Sequence, residues 1–174
     1  MSTPGAQARL ETPRLLMRQL RESDWDPYAA MCADVEVMRY LGTGVVFARD
    51  EAWRSMANML GHWQLRGYGM WALETRDTGD FIGRAGFLDP PGWPGFEVGW
   101  VLARGHWGKG YAREAAQAAL AHAFDHLGKK RVISLIRHGN ERSVRVAEAI
   151  GERLAGEVEL LGSKALVYEA VRAG

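Results

Sequence analysis

The run Trp107-Gly108-Lys109-Gly110-Tyr111-Ala112 restricts the architecture of this chain more than any other segment. The apolar stretch Val98-Gly99-Trp100-Val101-Leu102 leads toward it and an alanine-rich amphipathic stretch leaves it. The pattern is strand, glycine turn, helix start. Such a junction aims unpaired backbone N–H groups, together with the positive end of the helix dipole, at one point in space. Glycines there let an anion approach the main chain, so the turn is a candidate phosphate site. It is not a Walker A loop, which needs Lys then Ser or Thr after its second glycine, because Tyr111 follows Gly110. Nor is it a dinucleotide fingerprint, because Arg113 stands where a third glycine is required. A Gly-x-Gly turn can also be a mere tight connection, and the surroundings must decide.

The 174 residues suit one domain, expected over 9–174 behind a flexible tail at 1–8. A formal charge of +1 supplies no footprint for nonspecific nucleic-acid binding. Cys32 is the single cysteine, so no intrachain disulfide or thiolate metal cluster can form. Its setting, Ala29-Ala30-Met31-Cys32-Ala33, reads as the core face of a helix. The five histidines show no ligand spacing, and no metal is expected. The N-terminus lacks an apolar signal region and nowhere are about 18 apolar residues consecutive, so a cytoplasmic location without membrane contact is expected.

Periodicity divides the chain into alternating elements. Leu10 to Leu20 reads as a strand, with Ser23 and Asp26 marking a helix start and Pro27 tolerated in its first turn. Helical pieces follow to Asp34, over Val35 to Leu41, and from an Asp50 cap to Arg66, where Gly67 stops the last. Tyr68 to Glu74 and Phe81 to Phe87 form a hairpin around a turn-rich link. Asp89 to Gly95, with three prolines, must be loop. Phe96 to Leu102 is the strand before the glycine turn, and Ala112 to Leu127 is the clearest helix. On it, Ala115, Ala116, Ala119, Leu120, Ala123, Phe124 and Leu127 form the apolar face, with His122 elsewhere. A strand over Arg131 to Ile136, a helix from Glu141 to Ile150, and strands at Leu154 to Leu161 and Ala165 to Val171 complete the pattern. This predicts one mixed α/β (α+β) domain, with about seven mostly antiparallel strands and about four helices.

At this point the chain resembles the GNAT superfamily of N-acetyltransferases, and within it the ribosomal-protein (RimJ/RimL-type) subgroup. The superfamily signature is Arg or Gln-x-x-Gly-x-Gly or Ala. Trp107 to Ala112 resembles it, with Trp in the first position and Gly-Tyr-Ala at the end, both habits of the subgroup. Glu11-Thr12-Pro13-Arg14-Leu15 resembles the subgroup's opening strand and Phe96-Glu97-Val98-Gly99-Trp100 its fourth strand. Asn140-Glu141-Arg142-Ser143, continuing to Gly151, resembles its Asn-x-x-Ser helix. The resemblance spans nearly the whole chain.

It implies the GNAT fold with splayed central strands, acetyl-CoA as co-substrate and an amine acceptor, either a protein N-terminus or a small molecule. It leaves room for a homodimer. Gly108, Lys109, Gly110, Tyr111 and Ala112, with Trp107 beside them, would face the CoA pyrophosphate, although Lys109 is equally well a solvated lysine. The backbone of Trp100, Val101 and Leu102 would pair with pantetheine as a strand pairs with a peptide, and the amide of Val101 or Leu102 would receive the oxyanion. Glu97 is the candidate base, its apolar flanks raising its pKa; a rim glutamate at a strand start is the competing reading. An α-amine titrates near 7.7–8.0, which makes its proton easier to remove than that of lysine. Many superfamily members carry a tyrosine acid four residues after the position of Ser143, but here that residue is Ala147. Ser143 is the replacement candidate, or simply an early-helix hydroxyl. Asn140 is an N-cap, a cofactor contact, or both. Trp93, in the Pro/Gly loop, is expected to face the acceptor. Two other readings keep the glycine turn: a non-catalytic acyl-CoA-binding or regulatory module, for which Glu97 and Ser143 are irrelevant, and a nucleotide-binding module.

Overall fold

The computed structural model of the chain describes residues 9–172; the expected tail at 1–8 lies outside the described residues. Eight strands form one sheet in the order β1-β2-β3-β4-β5-β6-β8-β7. The strands are β1 (Leu10–Glu11), β2 (Leu15–Arg18), β3 (Met70–Thr75), β4 (Phe81–Leu88), β5 (Glu97–Leu102), β6 (Arg131–Arg137), β7 (Arg153–Leu160) and β8 (Ser163–Val171). Three helices, α1 (Trp25–Cys32), α2 (Val35–Met38) and α3 (Arg49–Arg66), precede β3. Helix α4 (Tyr111–Asp125) joins β5 to β6, and α5 (Glu141–Ala149) joins β6 to β7. Neighbouring strands are antiparallel except β5 and β6, which run parallel.

The predicted order of elements is the observed one, with local differences. The first strand is two. Thr12 closes a turn, its N–H donating to Leu15 C=O at 2.9 Å while its hydroxyl accepts from Leu15 N–H at 3.0 Å. Sequence alternation continues across this break, so periodicity alone cannot show it. Asp50 does not cap α3. The helix begins one residue earlier, the Glu51 carboxylate accepts the Ala48 N–H at 2.7 Å, and Asp50 pairs with Arg54 one turn on. Likewise Asp24, in a 3-10 turn, holds the entry to α1 by accepting from the Arg21 amide at 2.9 Å, so Ser23 is not the cap.

Two cores sandwich the sheet. Helix α4 lays Ala115, Ala119 and Ala123 against Leu15, Leu73, Phe87 and Val98. These alanines carry little side chain, so the helix axis can lie close to the sheet. His122 belongs to this buried face, contrary to the sequence assignment, with its ring edge-on to Trp71 at 5.6 Å. It sits three residues after Ala119 and seven after Ala115, which brings it onto the same stripe. On the other face Tyr28, Met31, Met56 and Met59 from α1 and α3 cover Met70, Ala72 and Val101.

The strands around β5 create the opening that matters. β4 and β5 pair over six residues, whereas β5 and β6 pair only at Glu97↔Ile133. Beyond that point β6 follows β8, to which it is paired over seven residues from Arg131 to Arg137. The expected splay is therefore present, as a wedge open toward the C-terminal ends of β5 and β6.

Candidate active site

One mouth of the wedge is the glycine turn. Gly108 and Gly110 hold φ values of +73° and +81°, a left-handed conformation that side chains other than glycine adopt at a cost. The first backbone bond of α4 runs from Glu114 N–H to Gly110 C=O at 3.1 Å, so the N–H groups of Tyr111, Ala112 and Arg113 are left to face outward. The turn is clamped by the connection between β1 and β2, almost a hundred residues away. Arg14 donates to Glu114 Oε2 at 2.6 Å and to the Lys109 carbonyl at 2.8 Å, and its guanidinium lies 4.5 Å from the centre of the Tyr111 ring. Glu114 also accepts from the Thr12 hydroxyl and the Arg14 amide. Burial pushes its carboxyl up, but these hydrogen bonds outweigh burial and hold it below the usual range.

The cleft behind this turn measures about 340 Å³. Of the residues expected to bind the cofactor, Trp100, Val101, Leu102, Trp107, Gly108, Gly110, Tyr111, Ala112, Asn140 and Ser143 are brought together in its lining; Lys109 is not. Three arginines that sequence reasoning passed over, Arg113, Arg142 and Arg145, complete its rim. Arg142 and Arg145 stand one turn apart on α5, a spacing that could have flagged them. The Arg142 guanidinium is 3.7 Å from the Trp107 ring centre, and the Trp107 indole donates to Leu102 C=O at 2.9 Å.

Strand alternation assigns the free edge of β5. Ala103 N–H bonds Ile82 C=O across the β4 pairing, and Val101, two residues back, is registered with Arg84. The Val101 amide therefore faces β4 and is consumed by the ladder, while the Trp100 and Leu102 amides face the wedge. Of the two expected oxyanion donors, only Leu102 turns its N–H to the opening. Asn140 caps α5, its side chain accepting from Ser143 N–H at 3.4 Å.

A second cleft, about 390 Å³, opens on the α1–α3 face. It meets the first along Tyr40, Leu41, Trp100, Val101, Asn140 and Ser143. Glu97 lies within it and is buried. The Trp93 indole donates to Glu97 Oε2 at 2.7 Å, so the loop tryptophan lines this cleft and orients the carboxyl. Burial pushes the Glu97 carboxyl up to about 7, against the opposing pull of Trp93, the Leu135 amide and Arg84. Cys32, read from sequence as core, is buried and also borders this cleft, where burial pushes its thiol up.

Behind Glu97, at the root of the splay, Ser134 Oγ donates to Val98 C=O at 2.9 Å and lies 3.1 Å from Glu152 Oε1. A hydroxyl has one proton, so Ser134 divides a single donor between the Val98 carbonyl and the Glu152 carboxyl. Burial pushes the Glu152 carboxyl to about 7 against the Ser134 hydrogen bond, with the Glu97 charge adding to burial. Neither Glu152 nor Ser134 carried a recognisable signal in the sequence.

Comparison with known proteins gives a consistent result. The acetyltransferase (GNAT) domain family matches residues 14–153. The uncharacterized protein YkkB of Bacillus subtilis is 33% identical over 173 residues, covering 95% of this chain and 96% of its own length. The crystal structure of an acetyltransferase from Agrobacterium tumefaciens superposes with a TM-score of 0.84 at 32% identity, covering 94% of each chain. RimL, a ribosomal L7/L12 α-N-protein acetyltransferase in complex with coenzyme A, shares the fold at 19% identity, with a TM-score of 0.76 over 92% of this chain and 95% of that one.

Proposed function

The chain belongs to the acetyltransferase (GNAT) domain family and is an acyltransferase, and on that premise we propose that it transfers an acetyl group from acetyl-CoA to a primary amine. The observation that carries this reading is the meeting of two clefts along β5. One is headed by unpaired amides and arginines, and the other holds a buried carboxyl.

The residues fit a phosphorylated, extended acyl carrier. The amides of Gly108 to Ala112, with Arg113, Arg142 and Arg145, would hold its phosphates. The free edge of β5 at Trp100 and Leu102 would pair with its amide-bearing arm, as an added strand does. When bound, the carrier supplies an activated acyl carbon and a thiolate leaving group. RimL, with the same fold, is described in complex with coenzyme A, which supports this choice of carrier.

The acceptor amine must lose a proton before it can attack. With its carboxyl at about 7, Glu97 lies close to the 7.7–8.0 of an α-amine, so uptake of that proton costs about 1 kcal/mol. The same carboxyl at its usual value would be a far weaker base, which is what burial corrects. Leu102 N–H is the backbone donor on hand for negative charge developing on the acyl oxygen. Ser143 borders both clefts and is the hydroxyl from which the leaving sulfur would take a proton. Asn140 fixes Ser143 by capping its helix.

Thiol release from acetyl-CoA in the presence of a panel of primary amines, including peptides with free N-termini, tests this directly. Acetylated product should form in proportion to released thiol. Binding of coenzyme A without release above background would replace the enzyme reading with that of an acyl-CoA-binding module.

A further inference from the structure

The second cleft contains a charge without a counter-ion. Arg84, on β4 opposite Ala72 and Val101, lines this cleft from the sheet face. Its Nε is sealed from solvent and has no hydrogen-bond partner, and no ion pair reaches its guanidinium among the described residues. Three groups are near enough to feel its charge: Tyr28, Cys32 and Glu97. None is a carboxylate committed to it. Burial keeps the Tyr28 hydroxyl and the Cys32 thiol protonated, and Glu97 is already held by the Trp93 indole. Arg84 is half-buried: its Nε has lost water without gaining a partner, while the rest of the fork opens to the cleft. Gly99, on the neighbouring strand, keeps this wall low: it lines the cleft, and a Cβ there would meet nothing nearer than 3.5 Å. Met31, Met38, Phe47, Met70 and Leu88 supply an apolar stretch of the wall, with Ser55 and Asn58 among its polar residues.

We propose that Arg84 is the carboxylate-binding residue of the acceptor site, so that the acceptor is a small amino acid, an amine and a carboxylate on an apolar body. This rests on the acetyltransferase reading above and specifies its substrate class. The guanidinium fork receives the carboxylate, the apolar wall receives the body, and the amine is left toward Glu97 on the neighbouring strand. Arg137, at the other end of the cleft, has a buried unpaired Nη1 but already donates through Nη2 to Gly42 C=O at 2.9 Å, so its charge is partly accommodated.

The test compares matched acceptors on the full chain: apolar amino acids, their amides, the corresponding decarboxylated amines, and peptides beginning with the same residues. Compared on the neutral-amine fraction of each acceptor, since an adjacent carboxylate makes the amine more basic than it is in the amide, the parent should favour each amino acid over its amide in kcat/KM by at least about tenfold, the weight of one charge-assisted hydrogen bond. R84Q should collapse that ratio to within about twofold, chiefly through KM, and R84K should restore part of it. Coenzyme A binding by calorimetry verifies that both variants are folded. Equal use of acids and amides by the parent, preference for peptides, or an unchanged acid-to-amide ratio in R84Q would overturn the Arg84 assignment while leaving the acetyltransferase reading in place. Absence of thiol release with every amine would overturn both.

Discussion

Replacing Glu97 with glutamine should stabilise the folded chain at alkaline pH and change little in acid. The buried Glu97 carboxyl titrates at about 7 in the folded chain, against 4.5 for an unhindered glutamate. Between those values the folded state keeps a proton that the unfolded chain has released, so folding takes up a proton and stability falls as pH rises. Below the lower value both states are protonated and no penalty exists. Above the higher value both are ionised and the penalty is complete. At about 1.4 kcal/mol per pH unit, the gap corresponds to about 3 kcal/mol of destabilisation in the parent. Glutamine cannot ionise, and its carbonyl can still accept from the Trp93 indole. The stability difference between E97Q and parent should therefore rise with pH by about 3 kcal/mol across this window. Denaturant unfolding of both proteins at a series of pH values measures it. A constant offset reports packing, and only the slope reports the proton. Glu152 complicates the accounting, because the Glu97 charge is one cause of its own elevation to about 7. Removing that charge makes Glu152 easier to ionise, so E152Q and the double variant are needed to close the cycle. A difference that stays flat from acid to alkaline pH would refute the argument, and with it the idea that Glu97 is poised as a base near neutrality.

Three further outcomes are expected. Gly110→Asp, at φ +81° and with a Cβ 3.3 Å from Arg14 Nη2, sets a carboxylate beside the anion-binding amides and should abolish thermal stabilisation by coenzyme A; a shift equal to the parent's would remove the turn from the binding site. Trp93→Phe deletes the hydrogen bond that opposes burial at Glu97, so the acid limb of the pH–rate profile should move to higher pH, and an unmoved limb would uncouple the two residues. Asp24→Ala removes a buried carboxylate and strips the half-buried Arg18 of a two-point partner, leaving Glu74 at 2.7 Å, and should cost about 3 kcal/mol in denaturant unfolding, whereas a loss below about 1 kcal/mol would mean the pair contributes little.

Features specified by near neighbours in the chain are legible from the residues alone. The long alanine-faced helix, the glycine stops, the proline loop and the strand-to-helix turn each depend on residues within about four positions, the reach of helical and strand periodicity. Glu97 and Trp93 fall within that reach of each other, and so do Asn140 and Ser143. What periodicity could not supply was every partnership across the sheet. Arg14 and Glu114 lock the glycine turn from positions a hundred residues apart. The direction of the Val101 amide depends on which strand β5 pairs with, and the wedge exists because β6 leaves β5 after one residue pair to follow β8. Arg84 gave no sequence sign, since an arginine in a strand is ordinarily solvated; only the helices laid over that face half-bury it and seal its Nε without a partner. Local backbone preference selects the elements, but desolvation and charge pairing are set by whatever the fold brings alongside, and those decided the chemistry of the site.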